Sequence, residues 1–167
     1  ALPQDLPIDH PQTIHDYVQL LQSLDVVFIQ DALDEGKLRG APKKAGKVHF
    51  CDPFIHHALS WWMAGGTPGW EKLHEDPAFS GQLVESVVAT HFSRRYPTFY
   101  IKAEGEVDVA YVADHRFHPI EIKWSNQIRA KDLKQIRKYR NGRVWGKRDG
   151  EGEPRTEFLP RALLGEK

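Results

Sequence analysis

Three strand-like runs in direct succession, TFYIK, EVDVAYVA and HPIEIKW, joined by the short turns AEG and DHR, constrain this chain more than any other feature. Runs of this length and composition, with turns this short, belong to neighbouring strands of one sheet. The preceding GQLVESVVATHF, with Ser80 as a good N-cap, is helical in period and places Leu83, Val84, Val87, Val88 and Phe92 on one stripe. A basic segment from about Ile128 to Tyr139 reads as another helix, RVWGK as another strand, and EFLPRALL closes the chain. Helix, three strands, helix, strand predicts an α/β fold, a mixed sheet flanked by helices.

Ahead of that core, Thr13 is placed to cap a helix running to about Leu24, with Ile14, Tyr17, Val18, Leu20, Leu21 and Leu24 on one side. DVVFIQ and VHFCD read as strands around the polar, Gly-rich loop DALDEGKLRGAPKKAGK. Helix, strand, loop and strand describe a small winged-helix-like unit over residues 1–52, followed by the main domain over 53–167. Lys37, Arg39, Lys43, Lys44 and Lys47 would favour DNA only if the loop projects freely. Pro53 opens a further helix in PFIHHALSWWMAGG, and GGTPGW is a turn. No Gly-Lys-Ser/Thr follows it, so it is not a phosphate-binding P-loop.

Formal net charge is zero, but its distribution is uneven: from Glu121 to Arg148 there are ten Lys/Arg against two Asp/Glu. That asymmetry suits a polyanionic partner, and equally a solvated helix face. The single cysteine, Cys51, excludes an internal disulfide and, with no apolar run near the roughly 18 residues of a membrane span, leads to the expectation of a cytoplasmic protein without membrane contact. The N-terminus has neither a signal-peptide pattern nor an initiator Met, so the chain is expected to be a piece of something longer.

The chemistry lies in the strands. Side chains alternate along a strand, so Val107, Val109 and Tyr111 are expected on one face and Asp108 on the other. In PIEIKW the same rule sets Ile120, Ile122 and Trp124 against Glu121 and Lys123. If the two strands pair, Asp108 stands beside Glu121, and Glu85 reaches the same face from the helix. Three carboxylates that close repel one another unless a divalent cation neutralises them. Hard oxygen ligands suit Mg²⁺ or Mn²⁺, and Lys123 could orient a water or neutralise a phosphate. A cross-strand ion pair on a solvated face, worth little to stability, is the plain alternative.

Glu85, then GEVDVAYV, then IEIK resemble the PD-(D/E)XK nuclease superfamily with its restriction-endonuclease-like fold. More narrowly, KVHFCDPFIHHAL, GQLVESVVATHF, EVDVAYV, PIEIKW and FLPRALL look like the C-terminal winged-helix and nuclease-like part of prokaryotic AAA-type ATPases, over about Thr13 to Leu164. The resemblance implies Glu85, Asp108 and Glu121 as metal carboxylates with the Ile122 backbone carbonyl as a further ligand. It implies Asp108, Glu121 and Lys123 as the catalytic set, Mg²⁺ or Mn²⁺ as cofactor, DNA as substrate and an ATPase domain missing from this chain as partner. Glu106-Val-Asp stands where some members carry Pro-Asp. A Gln-x-x-x-Tyr pair, Gln135 and Tyr139, resembles a DNA-engaging feature of RecB-like exonucleases. Lys131, Lys134, Arg137, Lys138 and Arg140 would then contact phosphates without reading sequence.

The nine histidines give no zinc site, because His56 and His57 are adjacent and the rest lack partners at ligand spacing. No serine has a nucleophile-elbow context. His91 reads as a core histidine, and Trp61, Trp62 and Trp70 as core or interface residues. The sequence thus favours metal-dependent hydrolysis of DNA phosphodiesters. The rival is a non-cleaving DNA-binding or regulatory module of an ATPase, and a purely structural appendage is a third.

Overall fold

The computed structural model describes residues 10–65, 75–151 and 154–165; most of the GGTPGW turn, with Trp70, lies outside them. Its centre is a five-stranded mixed sheet in the order β5 (Thr98–Lys102), β6 (Glu106–Ala113), β7 (Arg116–Lys123), β8 (Arg143–Gly146) and β9 (Thr156–Phe158). The β5–β6 and β6–β7 pairs are antiparallel, as their short turns require, whereas β7–β8 and β8–β9 are parallel. The chain is therefore an α/β protein.

Helix α3 (Pro77–Ser93) covers one face of the sheet. Its buried Val88 and Ala89 pack with Val109, Ile120, Ile122, Trp145 and Leu159, the last from the short helix α4 (Leu159–Leu164). Asp76 caps α3 by accepting from the Ala78 N–H, so the helix starts before Ser80, which lies inside it. His91 sits at the half-exposed rim and edges onto Phe92, not in the core. The other face holds a second cluster of Leu33, Ile101, Val107, Ala110, Leu133, Ile136 and Val144.

Val107 and Val109 therefore face opposite sides of the sheet, against the expected alternation. The cause is a β-bulge. Phe99 pairs with Ala110 but Ile101 pairs with Val107, so Asp108 and Val109 together oppose the single residue Tyr100. The bulge leaves backbone carbonyls to satisfy, and Gln30, wholly buried, does so: its Nε2 donates to Phe99 O at 2.9 Å and to Asp108 O at 3.0 Å. With both N–H groups spent, the Gln30 Oε1 must accept from His49 Nε2, 2.9 Å away. His49 Nδ1 is then the acceptor for the Ser86 hydroxyl at 2.9 Å, which ties the hairpin to α3. Burial depresses the His49 pKa to about 4, with the Lys47 charge adding to it, so the ring stays neutral.

Gln30 and His49 belong to the antiparallel pair β1 (Val27–Gln30) and β4 (Lys47–Phe50). Between them lies the expected loop, which contains a small hairpin, β2 (Leu33–Asp34) with β3 (Arg39–Gly40). It does not project freely. Leu33 is in the core, Ala32 bridges to Tyr100, and the Tyr100 hydroxyl donates to Ala45 O at 2.6 Å. Lys44 donates to Lys102 O, so the condition for DNA contact by this loop is not met there.

Helix α1 (Pro11–Ser23) is capped by His10 backbone with no side-chain bond, and Thr13 is inside it. Its stripe is not covered within the described residues: Ile14, Tyr17, Leu20 and Leu24 are all exposed. Helix α2 (Pro53–Met63) starts at Pro53 as expected, capped by Asp52. Trp61 and Trp62 on it are exposed, and His56 and His57 do not diverge: both rings lie against Phe79. Cys51 is half-buried, and burial pushes its thiol pKa up. The segment expected as one helix from Ile128 to Tyr139 is two 3-10 turns, Ala130–Leu133 and Ile136–Lys138. Leu133 and Ile136 are both buried and three apart, the spacing at which 3-10 side chains stack on one side. Among the described residues, no helix is long and apolar enough to cross a membrane.

Candidate metal centre

The β6–β7 ladder runs from Ala113↔Arg116 to Val109↔Ile120 and stops. Asp108 and Glu121 stand where the next pair would form. At this opening the Asp108 Oδ2 accepts the Ile122 N–H at 2.7 Å, replacing a ladder bond with a side chain. The bulge and the splayed ladder thus aim Asp108 at the end of β7. Glu121 is in register with Val144, which places it on the Val107 side of the sheet, while Ile120 and Ile122 fill the α3 side.

Glu121 is only 4 % exposed. Its Oε1 meets Lys123 Nζ at 2.5 Å, but its Oε2 is buried with no hydrogen-bond partner. Burial, with the neighbouring Asp108 charge, pushes Glu121 up to about 8. Asp108 rises to about 6, through loss of water first and the Glu85 charge second. For Lys123, burial pulls its pKa down, but the charge and hydrogen bond of Glu121 outweigh it and the net shift is upward. The cluster is short of positive charge, so near neutral pH it holds a proton that an exposed pair of carboxylates would have shed.

Glu85 comes from α3, on the opposite face from Glu121, and not from the face expected. It is near enough for its charge to act on both Asp108 and Glu121. Its Oε1 is drawn onto Lys47 at 2.6 Å. The same ammonium is 2.6 Å from Glu106 Oε1 and 5.0 Å above the Tyr100 ring. Among the described residues, no three His, Cys, Asp or Glu side chains are grouped closely enough to hold a metal as they stand. Glu85 is instead engaged with Lys47. The donor chemistry nevertheless fits a hard divalent cation: Asp108 and Glu121 both have raised pKa values, the Glu85 charge contributes to each, and Glu121 keeps an orphaned oxygen. The backbone of Ile122 lies beside Asp108, as its N–H bond shows.

Residues 80–148 match the domain of unknown function DUF4143. This domain is found in AAA-ATPase-associated proteins. The matched stretch contains Glu85, Asp108, Glu121 and Lys123 and omits the hairpin that carries Gln30, Lys47 and His49. No curated protein and no solved structure matches the chain.

Within the DUF4143 stretch the basic residues divide. Lys131, Lys134, Gln135 and Lys138 line a cleft of about 260 Å³ whose other wall includes Glu104 and Glu106. Lys138 is paired with Glu104. Arg137, Tyr139 and Arg140 line a different hollow. Gln135 and Tyr139 share no helix face, though a hydrogen bond still joins their side chains, and the Tyr139 hydroxyl donates to Glu35 at 3.0 Å. Burial and that bond push Tyr139 up to about 12. The sequence pattern had marked Lys47 only as a loop cation and left Gln30 and Glu106 without a role at the site. The one available signal was Gln30 itself, a polar residue closing an otherwise apolar strand.

Proposed function

We propose that this domain is a Mg²⁺- or Mn²⁺-dependent nuclease of restriction-endonuclease-like architecture that hydrolyses DNA phosphodiester bonds. One observation carries the reading: Asp108 and Glu121 converge at a splayed strand end, both with raised pKa, leaving Glu121 Oε2 buried and unpartnered. A fold that needed only an ion pair would not strand a carboxylate oxygen in this way.

Glu85, Asp108, Glu121 and the Ile122 carbonyl would hold the ion. When bound, such an ion lowers the pKa of a water and neutralises charge on a phosphoryl oxygen. Asp108 is fixed for this by the Ile122 N–H, and the bulge that aims it is locked by Gln30. Lys123 keeps its proton and lies against Glu121, where its three donors suit the phosphate or the attacking water. Lys131, Lys134 and Lys138 would seat the backbone in the cleft they share with Glu104 and Glu106, giving salt-sensitive binding without base readout. The DUF4143 match supports a setting beside an AAA-type ATPase.

A second reading has its own observation: Lys47 and Lys123 already pair with Glu85 and Glu121. On that basis the domain would bind DNA or regulate an ATPase without cleaving. Cleavage of plasmid DNA with Mg²⁺ separates the two. The nuclease cuts, and Glu121→Ala or Lys123→Ala abolishes cutting while DNA binding survives. Equal cutting by wild type and both variants would mean a contaminant and end the proposal; salt-sensitive binding with no metal dependence would favour the second reading.

A further inference from the structure

The geometry points to a role for Lys47 that deepens the metal reading and rests on it. Lys47 is the internal counter-ion of Glu85, holding that carboxylate out of the metal site until a divalent cation takes it, and Glu106 keeps the ammonium once it is released. Lys47 opens β4, in register with Gln30, and its ammonium lies over the Tyr100 ring, whose hydroxyl is anchored to Ala45. The Lys47 side chain is 24 % exposed, and its ammonium stands 2.6 Å from one oxygen of each carboxylate. Equal distances mean that it can give up Glu85 and retain a full partner. Glu106 is built for that second duty, because its other oxygen already bonds Lys102 at 3.0 Å and keeps the carboxylate in place.

The consequence for the ion is specific. Glu85 is the one carboxylate of the three whose tip is engaged outside the cluster, so it must be exchanged from ammonium to metal. Lys47 then opposes binding in two ways, as a competitor for Glu85 and as a nearby positive charge. Glu106 favours binding only through Lys47, since it stabilises the released ammonium. Because the resting protein carries its own cation there, the Glu85 charge is compensated without metal, at the cost of weaker metal affinity.

Calorimetric titration with Mn²⁺ at fixed pH tests this on wild type, Lys47→Met, Lys47→Arg, Glu106→Gln and the Lys47→Met/Glu106→Gln double variant. Lys47→Met should bind Mn²⁺ roughly 10- to 100-fold more tightly, the size of one charged hydrogen-bond competitor removed. Lys47→Arg keeps the charge and should stay near wild type, and thermal melts confirm that each variant folds. Glu106→Gln should weaken binding severalfold in the wild-type background and leave Lys47→Met unchanged. A purely through-space effect of Glu106 would be the same in both backgrounds and would overturn the exchange. Unchanged or weaker binding in Lys47→Met would also overturn it, while wild-type binding that is lost in Asp108→Asn leaves the metal centre standing. If no variant binds Mn²⁺, the metal centre itself is refuted and this role with it.

Discussion

Removing the charge of one buried carboxylate should change how stability depends on pH. Glu121 rises from an ordinary 4.5 to about 8 in the folded protein. Because the folded pKa lies above the unfolded one, the native state holds this proton more tightly, and the resulting stability is lost as pH climbs towards 8. Asp108 acts in the same sense up to about 6. His49 works oppositely: its folded value near 4 lies below the ordinary 6.5, so its contribution is gained as pH rises to 6.5. His56, His91 and His118 are also lowered by burial and add to that opposing slope. Lys47 and Lys123 keep their protons throughout and contribute no slope there.

Above pH 6.5 the Glu121 proton is therefore the main one still being lost. At about 1.4 kcal/mol per unit for one proton, the metal-free protein should lose about 2 kcal/mol between pH 6.5 and 8. For a chain of this length that is a fall of roughly 4–8 °C in Tm. Thermal melts in a chelator across that range measure it. Glu121→Gln should flatten the curve, and saturating Mg²⁺ should flatten it in the wild type. A wild-type curve that is level or rising from pH 6.5 to 8, or an equal slope in Glu121→Gln, would refute the reasoning.

Replacing Gln30 by Leu strands the Phe99 and Asp108 carbonyls in a buried site, and denaturant unfolding should show a loss of about 2–4 kcal/mol with cleavage reduced in the folded fraction. A Cβ on Gly146 would sit 2.7 Å from Thr156 Cγ2, so Gly146→Ala should destabilise the β8–β9 edge by about 1–3 kcal/mol in the same assay. Lys131→Ala with Lys134→Ala should weaken DNA binding and reduce the slope of log affinity against log salt by roughly one to two units, while Mn²⁺ affinity stays unchanged.

Local pattern made β5, β6 and β7 legible, and with them the neighbourhood of Asp108, Glu121 and Lys123, because alternation and short turns are decided within a few residues. The bulge was not legible. It depends on Gln30, whose bond to Asp108 O spans 78 positions, and it moves Val107 to the face opposite Val109. Lys47 looked like a loop cation because nothing nearby in sequence shows that Tyr100 draws the loop onto the sheet. The Ile128–Tyr139 segment has good helix formers, but burial of Leu133 and Ile136 selects a tighter geometry than propensity does. Glu85 was placed on the right helix and the wrong side, since the helix layer follows from packing and not from its own stripe.

What everything turns on is whether Glu85, Asp108 and Glu121 close on one cation. A crystal structure of the protein soaked in Mn²⁺, with anomalous data at the manganese edge, tests this directly. The account predicts a single peak ligated by all three carboxylates at the open end of the β6–β7 pair, with Lys47 turned from Glu85 to Glu106. Full occupancy of Mn²⁺ elsewhere, or none with Lys47 still on Glu85 at saturating metal, would contradict it.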